Sequence, residues 1–109
     1  MWLMTTRGFS TVVEHRDDAD RLIIRARCES DIAALAELVA GAPVRLAEAD
    51  YAWRVEATRD EWQAAMRVLV EEIDYPNFKG AVRDPAHHDA YLRVWGTMLA
   101  LDDRQAASA

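Results

Sequence analysis

Residues 21–28, RLIIRARC, alternate strictly: Leu22, Ile24, Ala26 and Cys28 fall on one side of an extended chain, and Arg21, Ile23, Arg25 and Arg27 on the other. Such alternation marks a half-buried strand, so the chain must build a sheet with one packed face and one wet one. Residues 9–15, rich in aromatic and β-branched side chains, read as the other arm of a hairpin closed by the polar loop at Asp17, Asp18 and Asp20. Residues 2–5 form a short apolar strand before a turn at Thr6, Arg7 and Gly8, where glycine supplies positive φ.

The rest alternates helix and strand. Ser30 is the expected N-cap of a helix whose apolar positions, Ile32, Leu35, Leu38 and Val39, recur until Gly41, with Pro43 beyond it. Residues 44–47 and 51–57 read as two further strands, with Tyr51, Trp53 and Val55 on one side. Thr58 and Glu61 form an S/T-x-x-E capping box ahead of the stripe Trp62, Ala65, Met66, Leu69 and Ile73. Pro76 breaks that helix and Asn77 caps a short turn through Val82. Asp84 and Pro85 begin a last helix with the stripe His88, Tyr91 or Leu92, Trp95, and Met98 or Leu99, fading near Asp102 into a tail expected to fray from about residue 103. The order β-β-β-α-β-β-α-α predicts one α+β domain over 1–109, with an antiparallel or mixed sheet of about 4–5 strands and helices on one face.

Composition limits the functions available. Four tryptophans and a hydrophobic fraction of 51% suffice for one core, and no apolar run approaches the roughly 20 residues that span a bilayer. The opening MWLMTTRGF lacks the pattern of a signal peptide, and the single Cys28 permits no disulfide within the chain; both point to the cytoplasm. The net charge of −6 is concentrated in residues 29–75, with eleven acidic against four basic side chains. That acidity opposes broad, nonspecific DNA binding, which rests on phosphate neutralisation.

Motifs for catalysis are incomplete. His15, Arg16 and Asp17 match the first residues of a kinase catalytic loop, but Leu22 stands where its asparagine would be and no glycine-rich phosphate loop exists. His87 and His88 are adjacent, about 100° apart on a helix, so they suit one metal ion poorly; His88 aligns with Trp95 and reads as packing, His87 as solvated. Cys28 reads as core through its alternation with Leu22. No catalytic residue, metal ligand or cofactor is therefore assigned. Two features suit binding. Arg25 and Arg27, two apart on one strand face, can grip a phosphate or carboxylate together, or pair across the sheet with Glu14 or Glu56. The loop from Asp74 to Lys79 gathers Tyr75, Asn77, Phe78 and Lys79, and serves either a ligand or local packing and capping.

The opening MW-L-M-T-T-R-G-F, the arginine pair in IIRAR, and DYPNFK followed by HHDAYLRVW together resemble a group of small uncharacterised bacterial and phage-associated proteins, over almost the whole chain. These motifs belong to the group and not to a known chemistry, so the resemblance implies no catalytic residues; it implies an accessory or interaction role. Three expectations follow. The first is a noncatalytic protein-interaction module, working on an unknown partner or as a homodimer. The second is a small-ligand or nucleic-acid binding protein that uses Arg25, Arg27, His15, Lys79 and Tyr75. The third is a metal-dependent hydrolase or nuclease resting on His88.

Overall fold

The computed structural model describes residues 1–108 of the chain, with side chains through Arg104. Their contacts gather into two units, Met1–Asp74 and the residues from Tyr75 onward. The first holds β1 (Trp2–Thr5), β2 (Gly8–Glu14), β3 (Arg21–Ala26), α1 (Glu29–Ala36), β4 (Val44–Arg45), β5 (Trp53–Thr58) and α2 (Arg59–Glu71). The second holds α3 (Phe78–Ala81) and α4 (Pro85–Ser108). The fold is α+β as the sequence predicts, with one five-stranded sheet in the order β1-β2-β3-β5-β4. Every pairing is antiparallel.

Register divides the sheet into two chemically distinct faces. Val12 lies opposite Ile24 and Ile24 opposite Val55, while Leu22 lies opposite Ala57, so these side chains share one face. Ile32 and Leu35 of α1 and Trp62, Ala65 and Leu69 of α2 close over that face to make the core. Ile24, Ile32 and Ala57 are wholly buried. Full burial of one such aliphatic side chain contributes roughly 1.5–3 kcal/mol, so β3 is anchored from one side only. The other face carries Trp2, Thr11, Arg25 and Arg54 in one cross-strand row, and Val13, Ile23 and Glu56 in the next. Both helices of this unit lie away from it.

Two polar devices fix the β1–β2 hairpin over α1. Gly8 has φ +126°, which side-chain-bearing residues rarely adopt, and a Cβ there would collide with the Asp31 carboxylate. Asp31, on the first turn of α1, is only 4% exposed and accepts the Phe9 N–H at 3.0 Å. Beside it, Arg7 grips Glu72 through Nε at 2.9 Å and Nη2 at 2.7 Å, and reaches Glu37 at 3.1 Å. One side chain from the turn thus ties the ends of α1 and α2 together.

Local signals set several boundaries. The Thr58 capping box is formed: Thr58 Oγ1 accepts the Glu61 N–H, and the Glu61 carboxylate accepts the Thr58 N–H, both at 3.1 Å. Asn77 accepts the Gly80 N–H at 3.3 Å and Asp84 the His87 N–H at 3.0 Å, so both expected caps operate.

Elsewhere the periodic patterns run further than the elements do. Cys28 is exposed, not core, because β3 ends at Ala26 and the alternation cannot be extended past it. Cys28, not Ser30, is the N-cap of α1, and it makes no side-chain cap hydrogen bond. That helix stops at Ala36, and Leu38 and Val39 follow in tight turns closed onto Leu35 and Ala36. Gly41 serves a different need from a helix stop: a Cβ there would lie 2.6 Å from the Glu56 carbonyl oxygen of β5. Ile73 lies beyond the end of α2 and is exposed. On α4, Tyr91 is buried, whereas Leu92, Trp95, Met98 and Leu99 are exposed. The helix continues past Asp102 to Ser108, and Ala109, the end of the tail expected to fray, lies outside the described residues.

Candidate binding face

The open face of the sheet collects the chain's unusual surface chemistry. Arg25 rises from the middle of β3, opposite Thr11 of β2 and Arg54 of β5. Its Nε donates to Thr11 Oγ1 at 3.0 Å, and Thr11 is fully buried. This bond sets the guanidinium over the Tyr51 ring, 4.9 Å from the centroid. Arg27, just beyond the strand, lies over the same ring at 4.5 Å. Arg27 Nη1 also donates to Asp50 Oδ1 at 2.8 Å, and that hydrogen bond holds the guanidinium pKa above its ordinary value. Because Asp50 precedes Tyr51, the ion pair also anchors the loop that delivers the ring. Arg54 holds it from the other side, donating from Nε to the Tyr51 carbonyl at 3.3 Å.

Aromatic contacts extend the cluster across the sheet. Phe9 lies 6.5 Å from Tyr51, and Trp2 meets Phe9 edge-on at 6.0 Å. These spacings are those of favourable aromatic pairs. The result is a platform of Trp2, Phe9 and Tyr51 with Arg25, Arg27 and Arg54 around one end. Trp2 is 74% exposed. Among the described residues one carboxylate, Asp50, pairs with the three arginines, so the platform is locally basic within an acidic chain.

A cleft of about 470 Å³ adjoins this row, lined by Ile23, Val44, Leu46 and Arg54 with Arg21 and Glu56 at its polar end. His15 lies against Glu56, not with the arginine pair. Its Nε2 is 3.0 Å from Glu56 Oε1, and its Nδ1 accepts the Asp17 N–H at 3.0 Å. Both ring nitrogens are thus engaged in holding the β2–β3 loop end. Arg21 joins the same Glu56 carboxylate at 3.5 Å.

Lys79 and Tyr75 belong to the second unit, where each has a local partner. Lys79 Nζ sits 4.0 Å above the Trp95 ring, and Tyr75 packs on Phe78 at 5.7 Å. Phe78 in turn stacks on Tyr91 at 5.6 Å. Of the five candidate residues, the structure brings Arg25 and Arg27 together, sets His15 two register rows away, and places Lys79 and Tyr75 in a separate unit. The acids expected opposite the arginine pair are used elsewhere: Glu14 binds Arg59 at 2.7 Å, and Glu56 binds His15 and Arg21.

Tyr51 does not follow the alternation its sequence neighbours predict. Its expected alternation with Trp53 and Val55 assumes an extended chain, but β5 begins at Trp53 and Tyr51 sits in a bend. The ring therefore lies with Arg25 and Arg27 instead of on the Val55 side. The available signal was the pair of arginines on one face, next to a loop with an adjacent carboxylate and aromatic.

His87, expected to be solvated, is instead largely covered, lying against Asp84 and edge-on to Tyr91 at 5.9 Å. Among the described residues no group of three or more histidine, cysteine or acidic side chains is arranged to hold a metal ion. Nor is any helix among them long and apolar enough to cross a membrane. Comparison with protein-family models, curated proteins and solved structures finds no match.

Proposed function

We propose that the chain is a noncatalytic interaction module of the cytoplasm that docks a protein partner on the open face of its sheet. The observation that carries this reading is the platform of Trp2, Phe9 and Tyr51 with Arg25 and Arg27 on the sheet face opposite α1 and α2. Tryptophan, tyrosine and arginine are the side chains that concentrate binding energy at protein interfaces. An exposed tryptophan adds little to folding, whereas it gains the full benefit of burial when a partner covers it. The local excess of arginine favours a partner segment that carries a carboxylate beside an apolar side chain.

The arginine row also motivates a second reading, a phosphate-bearing ligand held by Arg25 with the base or ring stacked on the aromatics. The net charge of −6 weighs against it.

One set of variants separates the two. Photo-crosslinking from position 2 is expected to capture a protein partner other than a second copy of the chain, with that capture lost in Arg25→Ala/Tyr51→Ala while the circular dichroism spectrum stays unchanged. Equal capture by that variant would overturn the reading. Titration of tryptophan fluorescence with single-stranded oligonucleotides is expected to show no response at physiological salt. A salt-dependent response abolished by Arg25→Ala would establish the second reading instead.

A further inference from the structure

The two edges of the sheet are built differently. β4 is a two-residue edge carrying Arg45, the short and charged design that discourages pairing with other chains. β1, at the other edge, is four residues long, WLMT, with neither charge nor proline. Trp2 and Met4 are also exposed along it.

The direction of its free backbone groups follows from the hairpin. Met1 and Val12 exchange both main-chain hydrogen bonds, at 2.9 and 2.8 Å. Bonded and nonbonded pairs alternate along an antiparallel ladder, so Leu3 and Thr5 also bond inward to β2. The N–H and C=O groups of Trp2 and Met4 therefore point out of the sheet. These outward residues are spaced symmetrically about Leu3.

We infer that β1 pairs with β1 of a second copy of this chain, antiparallel about a twofold axis at Leu3. Trp2 then lies opposite Met4 of the other copy, and the four outward donors and acceptors on each strand are satisfied in a single register. Leu3 faces its own counterpart as a nonbonded pair. Each Trp2 ring gains a methionine sulfur from across the axis, a favourable contact for both side chains. No side chains of like charge face each other within the paired strands, since Trp2–Thr5 carry none. The two sheets become one of ten strands, and two aromatic–arginine platforms lie on one continuous surface. The inference stands on the strand edge and not on which partner the platform binds.

The interface is small, so the dimer is weak and concentration-dependent. Sedimentation velocity is expected to show the mass rising to that of a dimer between micromolar and about 1 mM protein. Met4→Lys and Met4→Pro, which leave the inward hydrogen bonds of β1 intact, are expected to weaken dimerisation at least about tenfold with an unchanged thermal melt. In a Cys28→Ser background, Leu3→Cys is expected to form a covalent dimer on oxidation, because a nonbonded antiparallel pair has the Cα spacing a disulfide needs. Thr5→Cys should not, its counterpart lying about 13 Å along the ladder. A parent chain that stays monomeric to about 1 mM, a dimer indifferent to both Met4 variants, or equal crosslinking at positions 3 and 5 would each overturn the inference.

Discussion

Replacing Gly8 by alanine tests how the hairpin is held to α1. Alanine at φ +126° is strained whatever space surrounds it, a cost of about 1–2 kcal/mol. Its methyl group also displaces the Asp31 carboxylate, which breaks the bond to the Phe9 N–H at 3.0 Å. Loss of a buried hydrogen bond to a charged group costs about 1.5–3 kcal/mol, so Gly8→Ala should destabilise the chain by roughly 2.5–5 kcal/mol in total. The two contributions separate in a double-mutant cycle with Asp31→Ala. Once the carboxylate is gone, the methyl group has nothing to displace, and Gly8→Ala should cost only the backbone term of about 1–2 kcal/mol. Urea unfolding followed by tryptophan fluorescence measures all four corners. A Gly8→Ala penalty equal in both backgrounds would refute the argument that close approach to Asp31, and not φ alone, demands glycine here.

Three further outcomes follow from particular contacts. Thr58→Ala removes the hydroxyl that accepts the Glu61 N–H and should cost about 1 kcal/mol in urea unfolding, while Thr58→Ser should restore most of it. The hydrogen bond from Arg7 holds the Glu72 carboxyl below its ordinary pKa, so its contribution is full above about pH 4.5 and is lost as the pH falls through the depressed value. Since the Glu72 side chain is about a third exposed, the parent should exceed Glu72→Gln by only about 1 kcal/mol at neutral pH, with the two curves converging in acid. Cys28 should react with a thiol reagent in the native state without prior unfolding; protection to the level of global stability would contradict its exposed position.

What the sequence disclosed was whatever depends on neighbours along the chain. The alternation of Leu22, Ile24 and Ala26, the Thr58 box and the Asn77 and Asp84 caps each act within a few residues, and each is found where the pattern puts it. Errors arose where a period was carried past its element. Cys28 and Ile73 fit their patterns but lie beyond the ends of β3 and α2, where the chain turns and the period no longer applies. Hidden altogether were pairs made by folding: Asp31 beneath Gly8, Arg7 on Glu72, and Tyr51 between two arginines. Arg25 and Arg27 were visible as a pair, but the ring that organises them lies more than twenty residues away in a bend whose conformation no local period encodes.

That organisation makes the two arginines physically unequal, although their spacing suggested a matched clamp. Arg27 spends its guanidinium on Asp50, so a ligand carboxylate or phosphate would have to compete with a carboxylate already 2.8 Å away. Arg25 is positioned through Nε by buried Thr11, and neither of its terminal nitrogens has a recorded partner among the described residues. A guanidinium oriented by a neutral hydroxyl keeps its charge and its outer donors for a newcomer, with little rotamer entropy left to lose. Arg25→Lys should therefore weaken partner binding almost as much as Arg25→Ala, because an ammonium can neither accept that orientation from Thr11 nor present a planar fork. Arg27→Lys should be mild, since an ammonium can still pair with Asp50 and cover Tyr51. Comparable losses from the two lysine variants in the same binding assay would mean that charge alone, and not the Thr11-oriented geometry, governs recognition on this face.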